Sequence, residues 1–267
     1  MYPRLASGGQ GRFRRMIERK DEGPVAVLSI AHGPVNVMDL ELLLAITEAF
    51  TDLADDPARA VVLTGVGRAF SAGVDLNRIL AGGHDYVAEF MPALTEALMA
   101  VFTFERPVIA AVNGHAIAGG AVLALAADHR VMTNGKGAIG TPEALVGVAF
   151  PRAALDIVVY AVGEITGRKM IIGTENLPPE QALALGVVDE LAEPESVVSR
   201  AVEVAAGLAD KIPADTFAHT KLQLRRHIIE RVVNYGQDED ARATQVWQTR
   251  ATDGWMADYL ARTTRKK

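Results

Sequence analysis

Short runs of consecutive apolar residues alternate, over the first two-thirds of the chain, with segments whose apolar positions recur at helical spacing. Val25–Ile30 is such a run, rich in β-branched residues and introduced by Gly23-Pro24, and it reads as a strand. Beyond His32-Gly33-Pro34, Asp39 is placed to cap a helix that carries Leu43, Ile46, Phe50 and Leu53 on one face. Pro57 closes that helix, and residues 61–64 form a second strand ended by Gly65-Val66-Gly67. A helix over about 86–104 precedes a third strand, Val108–Val112, which Asn113-Gly114 cuts off. The order then repeats, with a helix at 120–127, a strand at 129–132 and a loop holding Gly135 and Gly137. Several of these strands are apolar on both faces, as strands covered by helices on each side are. Strands alternating with helices predict an α/β core with largely parallel pairing.

From Arg152 onward the pattern is mainly helical, with one more strand at 187–191. Residues 195–208 set Val197, Ala201, Val204 and Leu208 on one face, and further helices run over 214–235 and 238–260. Such a tail cannot bury its apolar stripe alone, so it is expected to fold back on the core and to pack on another subunit. The expected division is a core over 1–192 and a helical C-terminal region over 193–267. Residues 1–20, with Arg4, Arg12, Arg14, Arg15 and Arg19, read as a loose basic arm. No sequence period of repeat-protein length is visible.

Composition narrows the functional classes. The chain of 267 residues is 49% hydrophobic and 22% charged, which is ordinary for a soluble globular protein. No apolar run is long enough to span a bilayer, and the arm lacks the apolar segment of a secretory signal. A net charge of −6 offers no basic face to nucleic acid. The absence of cysteine removes disulfides, thiol nucleophiles and thiolate-held metals, and the six histidines show no ligand spacing. The expectation is a cytoplasmic protein acting on a small molecule, with no metal, nucleic-acid or membrane partner.

Two segments place glycines where a strand hands over to a helical pattern. One runs from Leu63 through Gly65-Val66-Gly67-Arg68-Ala69-Phe70-Ser71-Ala72-Gly73-Val74-Asp75 to Leu76. The other is Val112-Asn113-Gly114-His115-Ala116-Ile117-Ala118-Gly119-Gly120-Ala121. Backbone N–H groups at such junctions are left without partners, and two that converge make an anion site or an oxyanion hole. A dinucleotide fingerprint does not fit, because Phe70 stands where its third glycine is needed. Ser71 lies in no G-x-S-x-G setting and has no assignable His/Asp partners. Each segment taken alone is more often a plain turn; the two together, both at strand ends, read equally well as an anion site.

These segments resemble the crotonase superfamily of enoyl-CoA hydratases and isomerases. Gly33-Pro34-Val35-Asn36, residues 61–76, residues 106–120, Gly140-Thr141-Pro142-Glu143 and, more faintly, residues 180–189 fall in that family's order and spacing. The resemblance implies a spiral of ββα units with a C-terminal helical region that builds trimers or dimers of trimers. It implies an acyl-CoA thioester as substrate, with CoA entering as part of the substrate rather than as a cofactor. Carried over by position, the amides of Val74 and Gly119 would hold the thioester oxygen. Ser71, Ala72, Gly73, Asp75, Leu76 and Gly120 would build the cradle along the CoA, and Arg68 would approach its phosphates.

Hydratases of this family use two glutamates. Here Glu143 fills one position, and Val122, three residues beyond Gly119, stands at the other. Valine cannot move a proton, which impairs the holding and splitting of water. A lone carboxylate suffices to shift a double bond from the 3 to the trans-2 position, and the sequence is most similar to 3,2-enoyl-CoA isomerases. A dienoyl isomerase would need an acid at Pro151. Two alternatives stay open: a hydratase or other acyl-CoA lyase, and a non-catalytic acyl-CoA-binding subunit. By itself, Glu143 is also an ordinary first-turn helix acid. Trp247 and Trp255 read as packing or interface anchors, His115 as a surface or packing residue, and Asp75 and Glu89 as solvated helix positions.

Overall fold

The structure, a computed structural model, describes residues 16–264. The basic arm over 1–20 therefore lies mostly outside the described residues. Its last part does not: β1 (Ile17–Glu22) pairs antiparallel with β2 (Val25–Ile30) around Gly23, whose φ of +59° only glycine adopts freely.

A long strand, one or two short strands and a helix then recur. β3 (Val37–Met38) follows β2 and leads into α1 (Leu40–Asp52). β4 (Ala60–Gly65), β5 (Ala69–Ser71) and β6 (Gly73–Val74) lead into α2 (Leu76–Phe102). β7 (Val108–Val112) and β8 (His115–Ile117) lead into α3 (Gly119–Leu125). β9 (His129–Thr133) and β10 (Ile139–Gly140) lead into α4 (Glu143–Val146) and α5 (Arg152–Ile171). β11 (Asn176–Leu177), α6 (Pro179–Ala184) and β12 (Glu190–Ala192) close the core. The C-terminal region comprises α7 (Val197–Lys211), α8 (Ala214–Thr252) and α9 (Trp255–Thr264). The repeat is one of topology, which explains why no sequence period announces it.

The long strands form one sheet in the order β1-β2-β4-β7-β9-β12, parallel from β2 onward. The short strands form a second sheet, β11-β10-β8-β5, beside a separate β3-β6 pair. β2, β4, β7 and β9 are buried on both faces. Val25, Val27, Val62, Ile109, Ala111 and Val131 face α7, which presents Val197, Ala201 and Ala205 one turn apart. Ala26, Leu28, Val61, Leu63, Val108 and Ala110 face the main core. Asp39 caps α1 as the sequence indicates, accepting from the Leu42 N–H at 2.9 Å, and Leu43, Ile46, Phe50 and Leu53 are all buried.

Two helices differ from expectation. α2 begins at Leu76, ten residues before the expected start, because Asp75 caps it and the chain kinks at Gly83 (φ +56°) without ending there. The tail does not break near residue 236. Gly236 is buried inside α8, and the break falls at Gly254, whose φ of +90° ends α8 before α9. α8 folds back across α2 and α5. A buried cluster fixes it there: Lys221 Nζ and Arg225 reach Asp128 at 2.7 and 2.9 Å.

Asn36 organises the first glycine-rich loop. It is fully buried at φ +53°, a left-handed conformation that asparagine tolerates. Its Nδ2 donates to the carbonyls of Val66, Ala69 and Phe70 at 3.1, 2.9 and 3.3 Å, and its Oδ1 accepts from the His32 N–H at 3.0 Å. Asn36→Ala is expected to cost about 3 kcal/mol or more in denaturant unfolding, since it strands several buried polar groups. Asn36→Asp should cost at least as much, because it turns an acceptor toward those carbonyls.

Candidate active site

The two glycine-rich loops meet because glycine lets their backbones touch. A Cβ on Gly120 would lie 2.4 Å from the Ser71 carbonyl oxygen, and one on Gly73 (φ +85°) would lie 2.6 Å from that of Ile117. β5 and β8 run parallel just before this point, pairing Ser71 with Ala116. Ser71 is fully buried, and its hydroxyl donates to the Asn36 carbonyl at 2.7 Å and accepts from the Gly73 N–H at 3.2 Å. Asp75 Oδ1 accepts from the Asn77 and Arg78 N–H groups at 3.0 and 3.2 Å. Both side chains, expected along the CoA, are thus engaged within the fold.

The neighbouring amides are set by the same contacts. The Asp75 N–H donates to the Met38 carbonyl of β3 at 2.9 Å. Successive N–H groups of a strand point to opposite edges, so that of Val74 faces away from β3. Gly119 opens α3, where the first N–H groups of a helix lack intrahelical acceptors. Ala118, at φ +54°, holds the chain in a conformation that costs an L side chain energy. A Cβ on Gly119 would touch Met38 Sδ at 3.1 Å and Val74 Cγ2 at 3.7 Å, so the two residues are near neighbours.

Val74, Gly119 and Glu143 line one cavity, together with Val122, Pro151 and Ala154. Leu94 and Leu98 of α2, Ala149, Phe150 and Trp247 of α8 complete its wall. About 20 Å³ is open to the centre of a water molecule, room for one or two. Glu143 is the one ionisable residue in the lining among the described residues. It is 8% exposed, its Oε2 is buried without a hydrogen-bond partner there, and burial pushes its carboxyl up to about 8. The apolar wall supplies no cation to oppose that rise.

The tail holds the segment that carries Glu143. Trp255 Nε1 donates to the Leu145 carbonyl at 3.3 Å and Trp247 Nε1 to that of Ala149 at 2.8 Å. Between them Gly147, at φ +84°, leaves no room for a side chain, since a Cβ would meet the Trp255 ring at 2.9 Å. Trp247 is therefore an anchor and also part of the cavity wall. Burial pushes the Tyr259 phenol up, and the charge of Glu143 acts in the same direction.

The remaining candidates fall outside the cavity. Arg68 is exposed, Ala72 and Leu76 are half-buried, and His115 and Glu89 are exposed. Sequence reasoning singled out neither Asn36 as the organiser of the first loop nor Trp247 as lining. For Asn36 the signal was present, a lone buried-type amide after Gly33-Pro34. For Trp247 none was, because its partner carbonyl is 98 residues away.

The buried carboxylate has a thermodynamic consequence. Its folded value lies above its unfolded value of 4.5, so the stability it permits is full below 4.5 and is lost as pH rises through about 8. Each unit of displacement is worth about 1.4 kcal/mol. Glu143→Gln is expected to raise Tm at pH 9 by ~5 °C or more, a gain that fades as pH falls toward 5. Thermal melts across that range check it.

The description "Enoyl-CoA hydratase/isomerase" matches residues 20–253. The chain belongs to the enoyl-CoA hydratase/isomerase family. The solved human mitochondrial delta3-delta2-enoyl-CoA isomerase is similar, with a TM-score of 0.86 and 26% identity over 94% of this chain and 99% of that one. A rat mitochondrial enoyl-CoA delta isomerase 1 is 29% identical over 99% of this chain and 93% of its own. A Thermus thermophilus protein named provisionally as an enoyl-CoA hydratase is 35% identical over 83% of this chain and 87% of its own. Family members thus carry both isomerase and hydratase names. Among the described residues no helix is long and apolar enough to cross a membrane.

Proposed function

We propose that the protein is an enoyl-CoA isomerase that moves a double bond from the 3 to the trans-2 position of an acyl-CoA thioester. The observation that carries this reading is the lone carboxylate of Glu143 in an apolar cavity, facing Val122 where a hydratase would need a second acid. The thioester carbonyl sits between the amides of Val74 and Gly119. Glu143 takes a proton from C2, and the electron pair of that C–H bond is left as a dienolate spread over C2, C4 and the thioester oxygen. Fixed amide dipoles stabilise the oxygen's charge more than the neutral ground state, at about 3–4 kcal/mol per donor. Protonated Glu143 then gives the same proton to C4, and the double bond is left between C2 and C3. Burial suits both halves: a base with a value near the working pH accepts and returns a proton with similar ease. CoA enters as part of the substrate, with the exposed Arg68 beside its phosphates and Ala72 along its adenine.

Hydration is the second reading, favoured by the hydratase name of the Thermus relative. Offered 3-hexenoyl-CoA and 2-hexenoyl-CoA in parallel, the protein is expected to isomerise the first faster than it hydrates the second. Faster hydration would overturn the isomerase reading; tight binding with neither reaction would mark a subunit that only binds acyl-CoA.

A further inference from the structure

We propose that Trp247 is the floor of the acyl pocket and limits the length of acyl chain that the protein accepts. The proposal rests on the acyl-CoA reading of the same cavity and adds its substrate class. The reacting end of the cavity is fixed by Val74, Gly119 and Glu143, and Trp247 forms part of its wall. Its indole is 2% exposed and backs onto Phe90, fully buried, with ring centroids 6.1 Å apart. Phe90 in turn stacks on Tyr86 at 5.9 Å. Behind the indole, therefore, lies packed aromatic core.

The floor is held as well as filled. Trp247 Nε1 donates to the Ala149 carbonyl at 2.8 Å, so swinging the ring aside would strip that carbonyl of its donor. α8 itself is cross-linked around this point. Asp240 accepts from the Arg152 N–H at the head of α5 at 2.7 Å and from Thr95 Oγ1 of α2 at 3.4 Å. The helix thus resists sliding off the pocket. With about 20 Å³ open to water centres, an acyl chain enters by displacing wall side chains, and the indole, backed by Phe90 and Tyr86, is a part of that wall with packed core behind it.

The test measures kcat/KM for 3-enoyl-CoAs of six, eight, ten and twelve carbons, and Kd for the saturated acyl-CoAs of the same lengths. In the native protein kcat/KM should fall about tenfold or more between six and twelve carbons, and affinity should fall with it. Trp247→Leu should raise the ten- to six-carbon ratio at least tenfold. Should that variant fail to fold, Leu98→Ala opens the same space from α2 and should move the ratio in the same direction. Equal handling of six and twelve carbons by the native protein, or an unchanged ratio in a folded variant, overturns the proposal. The six-carbon arm reports separately on the underlying reading. Hexanoyl-CoA that binds without turnover of its 3-enoyl counterpart sinks the isomerase assignment and leaves the floor to be decided by the Kd series. No binding at any length sinks both.

Discussion

Glu143→Gln is expected to lower kcat for 3-enoyl-CoA isomerisation by about 10³-fold while KM changes little. Glutamine keeps the size and one carbonyl oxygen of the side chain but cannot accept a proton. No second acid lines the cavity among the described residues to take over; Val122 and Pro151 line it instead. Isomerisation that survives undiminished would remove Glu143 from the mechanism. The same reading fixes a pH profile. With the free carboxyl pushed up to about 8, the ionised base is the minority form at neutral pH. kcat/KM should therefore rise about tenfold per unit up to about pH 8 and then level. A profile already flat above pH 5 would mean a solvated carboxylate.

Gly120→Ala should have the second largest effect, a fall in kcat of about 10²-fold with Glu143 intact. The added methyl would meet Ser71 at 2.4 Å from its carbonyl oxygen and 2.9 Å from its carbonyl carbon, and backbone atoms cannot rotate away. The two loops must separate, and with them the amides of Val74 and Gly119. A hydrogen-bond pair tuned to one oxygen loses most of its worth when moved by about 1 Å. Gly207→Ala is the control. That glycine lies within α7 with nothing within 4 Å of an added Cβ, so activity should be unchanged and stability equal or slightly raised. Comparable losses in both variants would show that glycine replacement as such, rather than loop separation, is being measured.

Much of the strand and helix order was legible because it is locally encoded. Val108–Val112 is apolar throughout, and it is a central strand buried on both faces. Asp39 was placed to cap α1, and it does. Errors arose at two helix bounds that lie near glycines. The helix expected over about 86–104 starts at Leu76, and the chain kinks at Gly83 and goes on. The helices expected over 214–235 and 238–260 are one helix to Thr252, with Gly236 buried within it. A glycine's local freedom permits a turn without requiring one, and packing on α2 and α5 decides.

From its sequence alone the chain specified alternating strands and helices, two glycine-rich junctions, one acid at the head of a short helix and a valine three residues beyond Gly119. Tertiary structure decided the rest. It brought the junctions into backbone contact, buried Glu143 so that its carboxyl rises to about 8, and swung Trp247 from the far end of the chain onto the cavity. The division has one cause. Side-chain pattern and capping act over a few residues, whereas burial and approach depend on which distant segments pack together, and a proton's affinity for a carboxylate follows what surrounds it.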